Sequence, residues 1–212
     1  MEQIKKMIER DVRKFQSFNH VKSLLNRYDM EDFSDNVETE IKRLKDAVGI
    51  PTSCVIRALG IYKRALEEGA IRGCSPEAVA TAVLYMACRM LKIPRSLDEF
   101  KRFIKVPKIE VGRCYRDLLT NLNVKMPLDD PVLYVYRVAE RLGLTNEEVK
   151  RIVEIVEKAK KAGIARGRRP ASVAAAATWL AVQGVTQEQV ASLFGVAAET
   201  VRSVARRISR VL

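Results

Sequence analysis

Apolar residues recur at helical spacing along most of this chain of 212 residues, and alternating apolar and polar stretches between hairpin turns are missing. One apolar stripe runs from Val37 to Val48 and stops at Gly49, a residue type that commonly ends helices. Ser75 followed by Pro76 is typical of a helix start, because serine caps the first turn and proline needs no backbone donor there. The pattern predicts an all-α protein.

Capping residues and breakers divide residues 37–124 into five predicted helices. The stripe described above is the first of them, and Pro76 opens the third. The other boundaries are Thr52 and Gly69 for the second helix, Leu91 for the end of the third, a Ser96–Glu99 capping box for the fourth and Pro107 before the fifth.

The sequence then repeats itself. A shift of 94 residues superposes the segment 61–73 on 155–167 and aligns Pro76 with Pro170. Beyond that helix the offset shortens to 90 residues, and a deletion in a loop explains the change, since loops absorb differences in length. The ordered series of matches indicates that one helical domain has been duplicated.

We therefore predict two tandem five-helix domains, at 37–124 and 128–212. An N-terminal helical extension at 1–36 precedes them, and within it residues 2–28 predict an amphipathic helix. That helix either packs on the first domain or binds a partner.

The segment "GRRPASVAAAATWLAV", residues 167–182, is unusually rich in alanine. A helix surrounded by others has no solvent face, and small side chains allow its neighbours to come close. We expect it to be the central helix of the second domain, as "SPEAVATAVLYMAC" is of the first. Tyr85 and Trp179 are expected to fill one wider space in each copy.

Charge adds a class of partner to this picture of a duplicated bundle. Lys and Arg number 38 against 26 Asp and Glu, a net charge of +12. Residues 1–36 carry no net charge, whereas 37–130 carry +5 and 131–212 carry +7. The excess therefore belongs to the predicted folded domains, which favours a polyanionic partner such as nucleic acid.

Several kinds of chemistry are not indicated. His20 is the single histidine, no Cys-x-x-Cys occurs, and neither a Gly-rich phosphate loop nor a clustered carboxylate set is present, so we expect no metal, no cofactor and no catalysis. The longest apolar run, 171–182, is too short for a membrane span, and we expect no membrane partner. Wide spacing gives no sign of a disulfide framework among Cys54, Cys74, Cys88 and Cys114, and small core positions are expected for Cys54 and Cys88.

The segment 186–208 predicts a DNA-reading helix-turn-helix with Gly195 at its turn. Residues early in the second helix of such a motif face base edges, and arginine can form a forked pair with guanine. Arg202 is the first candidate for reading bases, with Glu199 and Thr200 beside it. Phosphate contacts are expected from Arg168, Arg169, Arg206 and Arg210.

The chain resembles the cyclin-fold core of transcription factor B, the archaeal relative of eukaryotic general factor IIB. The resemblance covers about 37–212 and is carried by "IRGCSPEAVATAVLYMACRMLKIPRSLDEF" with "EVGRCYRDLL", and by "ARGRRPASVAAAATWLA" with "TQEQVASLFGVAAETVRSVARRI". It implies two cyclin-like domains that grip TATA-box DNA with TATA-binding protein, read the upstream B-recognition element and help to place RNA polymerase. It also implies a location on the chromosome, in the cytoplasm of an archaeon or the nucleus of a eukaryote.

The same resemblance extends to particular residues. Arg202 matches the arginine with which the family contacts a base. Arg89 and Lys108 match positions at the surface for TATA-binding protein and DNA. Arg113 matches a position at that surface too, and it is expected to contact a DNA phosphate. Glu199 departs from the family, which commonly has valine there against a thymine methyl, so the preferred upstream element is expected to be altered or weak.

Two alternatives stay open from the sequence. No zinc ribbon or reader segment appears, which fits a ribbonless paralogue acting as accessory factor or repressor, and equally a shortened chain. A cyclin-like protein that binds a kinase through its first domain is the other hypothesis, although it leaves the basic surplus and the helix-turn-helix unexplained.

Overall fold

The computed structural model describes residues 30–71 and 73–212, and the helix expected at 2–28 lies outside them. Within the described residues there are ten helices and no strand, so the predicted all-α fold is confirmed. The chain divides between Pro127 and Leu128 into two compact units, each with five of these helices. No helix in the described part of the chain is long and apolar enough to cross a membrane.

The first unit contains helices α1 to α5. Helix α1 begins upstream of residue 37, where the sequence places the start of the first domain, because Phe33 lies one turn before Val37 and packs against the same core. The bounds are α1 Met30–Val48, α2 Thr52–Glu67, α3 Pro76–Met90, α4 Leu97–Phe100 and α5 Lys108–Asn121.

The second unit repeats this order with helices α6 to α10. Helices α9 and α10 coincide with the two helices predicted for the helix-turn-helix. The bounds are α6 Pro131–Leu142, α7 Asn146–Lys161, α8 Pro170–Ala181, α9 Gln187–Phe194 and α10 Ala198–Ile208.

Helix ends follow the local chemistry of the sequence. Ser75 accepts a hydrogen bond from the Ala78 N–H at the start of α3, as predicted, although at a long 3.4 Å. Helix α2 ends at Glu67, two residues before the predicted Gly69. Gly69 lies just outside the helix with a φ of 65°, and it turns the chain so that the Ala70 N–H reaches the Ala65 carbonyl at 2.8 Å.

The central helix of each unit is buried on nearly every side. In α8 the run Val173–Ala177 has no exposed surface, and in α3 the run Ala78–Ala80 has none either. The hydroxyls within these helices bond to their own backbone, Thr81 to the Glu77 carbonyl at 2.7 Å and Thr178 to the Ala174 carbonyl at 2.9 Å. Apolar packing and internally satisfied polar groups explain why these two helices tolerate complete burial.

The aromatic positions of the central helices lie at the edge of their cores. Tyr85 is half-buried, and its ring centroid lies 5.2 Å from that of Tyr115 and 6.4 Å from that of Phe100. Trp179 is also half-buried and packs against the core of the second unit. Each copy thus has one aromatic side chain at this position, packed against the edge of its core.

Replacing Ala175 by leucine is expected to destabilise the second unit by about 1–3 kcal/mol, because the added carbons have no space at a fully buried position. Urea unfolding followed by fluorescence of Trp179, the single tryptophan, reports on that unit. The matched control is Ala162→Leu at the exposed end of α7, which should change stability by less than about 0.5 kcal/mol. Equal stability of the two variants would contradict close packing around α8.

Candidate nucleic-acid interface

The helix-turn-helix at 186–208 is built by local hydrogen bonds. Thr186 caps α9, since its Oγ1 accepts from the Gln189 N–H at 3.1 Å while the Gln189 side chain accepts from the Thr186 N–H at 2.8 Å. Gly195 follows with a φ of 63°, and the Val196 N–H returns to the Ala191 carbonyl at 2.9 Å. These contacts determine the angle at which α10 leaves the turn.

One face of α10 packs inward and the other is exposed. Val201 and Ile208 are fully buried in the core of the second unit, together with Val204 and Ala205. The opposite face carries Glu199, Arg202, Ser203, Arg206 and Arg207, all of them exposed. The helix therefore presents a polar surface rich in arginine from a rigid hydrophobic base.

Arg202 is held in place by side chains from both helices of the motif. Its Nε donates to Gln187 Oε1 at 3.1 Å and its Nη1 donates to Glu199 Oε2, also at 3.1 Å. The Arg202 side chain remains 44% exposed. Two of its five N–H donors are used, so Nη2 and one hydrogen on Nη1 are left for a forked contact with a base.

An open cleft of about 430 Å³ lies beside this exposed face. Its walls come from the start of α8 and from the first half of α10, and it brings together residues predicted as phosphate contacts with residues predicted to read bases. The lining residues are Arg168, Arg169, Ser172, Glu199, Thr200, Ser203 and Val204.

The cleft lies at the N-terminal ends of two helices. Neither Arg169 at the start of α8 nor Ala197 at the start of α10 donates or accepts a side-chain capping bond in the structure described. Helix N-termini without a capping side chain favour negative charge, although α8 begins with Pro170, which has no N–H, and the Ser172 N–H bonds to the Arg169 carbonyl at 2.9 Å. Arg168 adds a positive charge held by a 2.6 Å bond from its Nη1 to the Ile164 carbonyl.

The corresponding place in the first unit is filled by the protein's own carboxylates. Glu77 accepts from the backbone N–H groups of Lys105 and Val106 at 3.0 and 3.2 Å and pairs with Arg43 at 3.2 Å. Ser75 donates its hydroxyl to Glu110 at 2.6 Å. Among the described residues, these carboxylates occupy the space that corresponds to the cleft of the second unit.

The other predicted phosphate contacts do not line the cleft. Arg206 lies one turn beyond Arg202 on the same exposed face, and Arg210 follows the end of α10, where it is exposed as well. Both extend the positive surface along the helix and away from the cleft.

The three predicted contact residues of the first unit have intramolecular partners. Arg89 donates to the Tyr115 hydroxyl at 2.7 Å and to the Pro127 carbonyl at 2.9 Å, which gives it a structural role near the end of the unit. Lys108 pairs with Asp98 at 2.5 Å, and Arg113 donates to the Gly73 carbonyl at 3.2 Å. The hydrogen-bond partners of Arg89 differ from those of Lys108 and Arg113.

Sequence reasoning missed two contributors to this site. Gln187 is an unremarkable first residue of α9 in the sequence, yet it reaches Arg202 on the next helix. Ser172 lies in the alanine-rich helix, where the composition suggested core alone, and it nevertheless lines the cleft. Their polar side chains next to helix starts were the available signal. Within the described residues no three His, Cys, Asp or Glu side chains are grouped as metal ligands would be.

Comparison with known proteins connects this geometry to a family. The sequence profile described as Transcription factor TFIIB repeat matches residues 32–121 and again 124–208. A Transcription initiation factor IIB from Pyrobaculum islandicum is 50% identical over 177 residues, 82% of this chain and 53% of that protein. One from Caldivirga maquilingensis is 37% identical over the same shares of both chains. The chain thus spans about half the length of these relatives.

A solved structure, the cryo-electron microscopy structure of the yeast TFIIK complex, also contains a similar chain. The alignment covers 91% of this chain and 92% of the yeast chain, with a TM-score of 0.38 and 16% identity. A match at this level has no bearing on function.

Replacing Gly195 by alanine is expected to cost about 1 kcal/mol of stability in the second unit. The left-handed φ of 63° alone causes the loss, since no atom lies within 4 Å of an added Cβ. Gly195→Asn is the matched control and should cost less, because asparagine tolerates this conformation. Urea unfolding followed by Trp179 fluorescence measures both, and an asparagine variant no more stable than the alanine variant would contradict the expectation.

Proposed function

Since the chain belongs to the transcription factor IIB family, we propose that it binds promoter DNA together with TATA-binding protein during transcription initiation. Members of this family are general transcription factors and not enzymes. The duplicated units correspond to the two TFIIB repeats, and their all-helical architecture agrees with the predicted cyclin-like fold. Its relatives are archaeal, which supports a role on an archaeal chromosome.

The cleft between the starts of α8 and α10 is the observation that carries this proposal. A DNA phosphate placed there meets two helix N-termini and the positive charges of Arg168 and Arg169. Thr200 and Ser203 add hydroxyls on the α10 wall. Such a contact anchors the backbone of the duplex and sets the orientation of α10 in the neighbouring major groove.

Arg202 then reads bases in the B-recognition element upstream of the TATA box. Its position in the first half of α10 is the one from which a recognition helix reaches base edges. Gln187 and Glu199 hold the guanidinium before DNA arrives, so less side-chain freedom is lost on binding. Guanine, with acceptors at O6 and N7, is the base that suits the remaining donors.

Glu199 has two opposing effects in this arrangement. Its carboxylate orients Arg202, and as an acceptor it suits cytosine N4. It also places a negative charge, 75% exposed, on the wall of a cleft offered to phosphate. We therefore infer a preferred upstream element that differs from one read through an apolar side chain at this position.

The first repeat supplies the surface for TATA-binding protein and downstream phosphate. Lys108 and Arg113 lie exposed near the start of α5. Lys108 contacts Asp98 and Arg113 contacts the Gly73 carbonyl at the surface, and a phosphate can replace either partner. Arg89 supports that surface from α3 by holding Tyr115 and the chain at Pro127. Recruitment of RNA polymerase completes the proposed role.

Arg202→Ala is expected to lower discrimination among upstream sequences by about fivefold to 150-fold, the range for loss of a forked arginine–guanine contact of about 1–3 kcal/mol. Fluorescence anisotropy with TATA-binding protein and promoter duplexes that differ only upstream of the TATA box measures it. The control is Arg151→Ala, an exposed arginine on α7. Unchanged discrimination in Arg202→Ala would remove Arg202 as the base reader.

Arg206→Ala is expected to weaken all promoter sequences alike, because a phosphate contact carries no sequence information. The slope of log affinity against log salt concentration should become less steep by about one unit. The same anisotropy titrations at several salt concentrations measure it. A sequence-dependent loss would show instead that Arg206 contacts bases.

Capture experiments decide between promoter binding and kinase binding. We expect the wild-type chain to join TATA-binding protein on TATA-box DNA, with an affinity that falls steeply as salt rises. Capture by a kinase together with indifference to the promoter complex would overturn the proposed function.

A further inference from the structure

The four cysteines of the chain form two buried pairs, although their spacing in the sequence suggests no pairing. The Cys88 thiol donates to Cys54 Sγ, with the two sulfurs 3.5 Å apart. Cys74 and Cys114 are the second pair: burial, and after it the neighbouring Cys74 thiol, raise the pKa of the Cys114 thiol, so the two lie close together. All four cysteines are buried free thiols.

Each pair connects segments that are distant in the sequence. Cys54 is on α2 and Cys88 on α3, the central helix of the first unit. Cys74 immediately precedes the residue that caps α3, and Cys114 is on α5. The two pairs together join α2, the start and end of α3, and α5.

The helical bundle itself does not require these cysteines. With the offsets of 94 and 90 residues that relate the two repeats, their counterparts in the second repeat are Glu148, Val182, Arg168 and Val204. The second repeat forms the same arrangement of five helices without a single cysteine. All four cysteines therefore lie in the first repeat, and the fold of the second repeat forms without them.

We propose that Cys54–Cys88 and Cys74–Cys114 are two disulfide sites, which cross-link the core of the first repeat. For the first pair the sulfurs must approach by about 1.5 Å from contact to reach bonding distance, a shift that side-chain rotation and small helix movements supply. The modification lies beyond the DNA-binding role and does not depend on it.

The oxidant is a disulfide, either a low-molecular-weight one or the oxidised dithiol of an exchange protein. The thiolate of one cysteine attacks one sulfur of the oxidant and forms a mixed disulfide with it. The other sulfur of the oxidant leaves as a thiolate. The second cysteine loses its proton to that released thiolate and attacks the first cysteine's sulfur, which expels the other half of the oxidant. Each site thus gives up two electrons and two protons, and the oxidant becomes two thiols.

The environment selects the attacking sulfur in the first pair. The hydrogen bond from Cys88 lowers the pKa of Cys54, and the nearby positive charge of Arg95 acts in the same direction. The same hydrogen bond and burial raise the pKa of Cys88. Where the chain opens locally with this contact intact, Cys54 is the attacking sulfur and Cys88 the cysteine that resolves the mixed disulfide.

Burial determines when the bonds form and how long they last. Cys54, Cys88 and Cys114 have no exposed surface, and Cys74 is 8% exposed. Exchange with an oxidant therefore takes place while the chain folds or opens locally, with Cys74 as the accessible sulfur of its pair. Once the bonds form in the closed bundle, reductants are kept out by the same packing.

The cross-links act on helices that carry the proposed contact residues of the first repeat. Arg89 is on α3, and Lys108 and Arg113 are on α5. Bonds from α3 to both of its neighbours limit their relative movement and constrain the unfolded chain, so the first repeat should be selectively stabilised.

The test uses the full chain, refolded with a mixture of oxidised and reduced glutathione and then denatured and alkylated. We expect no alkylated cysteine before reduction and four after it, a mass about 4 Da below that of the reduced chain, and proteolytic fragments that join 54 to 88 and 74 to 114. Four alkylated thiols without reduction, glutathione adducts, or any other pairing would overturn the proposal.

Thermal unfolding gives a second readout with an internal control. Oxidation should raise the midpoint of the first-repeat transition, followed by circular dichroism, by about 10 °C or more. The transition followed by Trp179 fluorescence, which reports on the second repeat, should move far less. Equal shifts of both transitions, or no shift, would contradict selective cross-linking of the first repeat.

Paired variants separate the two sites. The double replacement Cys54→Ala with Cys88→Ala should retain one disulfide, 74 to 114, and part of the oxidation-dependent shift. Cys74→Ala with Cys114→Ala is its matched counterpart and should retain only 54 to 88. Loss of both disulfides in either double variant would show that the pairs do not form independently as proposed.

Discussion

Close packing around a central helix of small side chains is the constraint on which each unit depends. Ala174 and Ala175 have no exposed surface, so the other helices approach α8 from all sides. Helix α10 packs against α8, and its buried Val201 and Ala205 hold it there. Since both helices begin near the same place, core packing also forms the cleft beside the helix-turn-helix. The same helix packing therefore forms the interior of the second unit and its proposed DNA-binding surface.

Duplication has produced two copies of this five-helix unit with different surfaces. Glu77 and Glu110 in the first copy bind nearby backbone and side-chain donors, which fills the space between the starts of α3 and α5. Their counterparts in the second copy are Ala171 and Thr200, which leave that space open. The second copy supplies Arg168 at the same place, so a few substitutions convert an internally satisfied junction into an anion-accepting cleft.

Within the helix-turn-helix, neighbouring side chains orient Arg202, the proposed base-reading residue. Gln187 from the first helix and Glu199 from the second both accept hydrogen bonds from Arg202. Part of the flexibility of the guanidinium is thereby removed before any partner is met. The negative charge of Glu199 is unfavourable near phosphate, so this arrangement favours orientation of the proposed base contact over general attraction to DNA.

Apolar periodicity, glycine and proline act over a few neighbouring residues, so the sequence alone predicts the all-α fold, the duplication and the positions of the helix-turn-helix. It also indicates the exposure of Arg202 and Arg206, which follows from the apolar stripe on the other face of α10. Three features emerge from the packed helices instead: Gln187 holds Arg202, Ser172 lines a cleft, and four widely spaced cysteines form two pairs. Contacts of this kind depend on how helices distant in the sequence pack side by side, which no local pattern specifies.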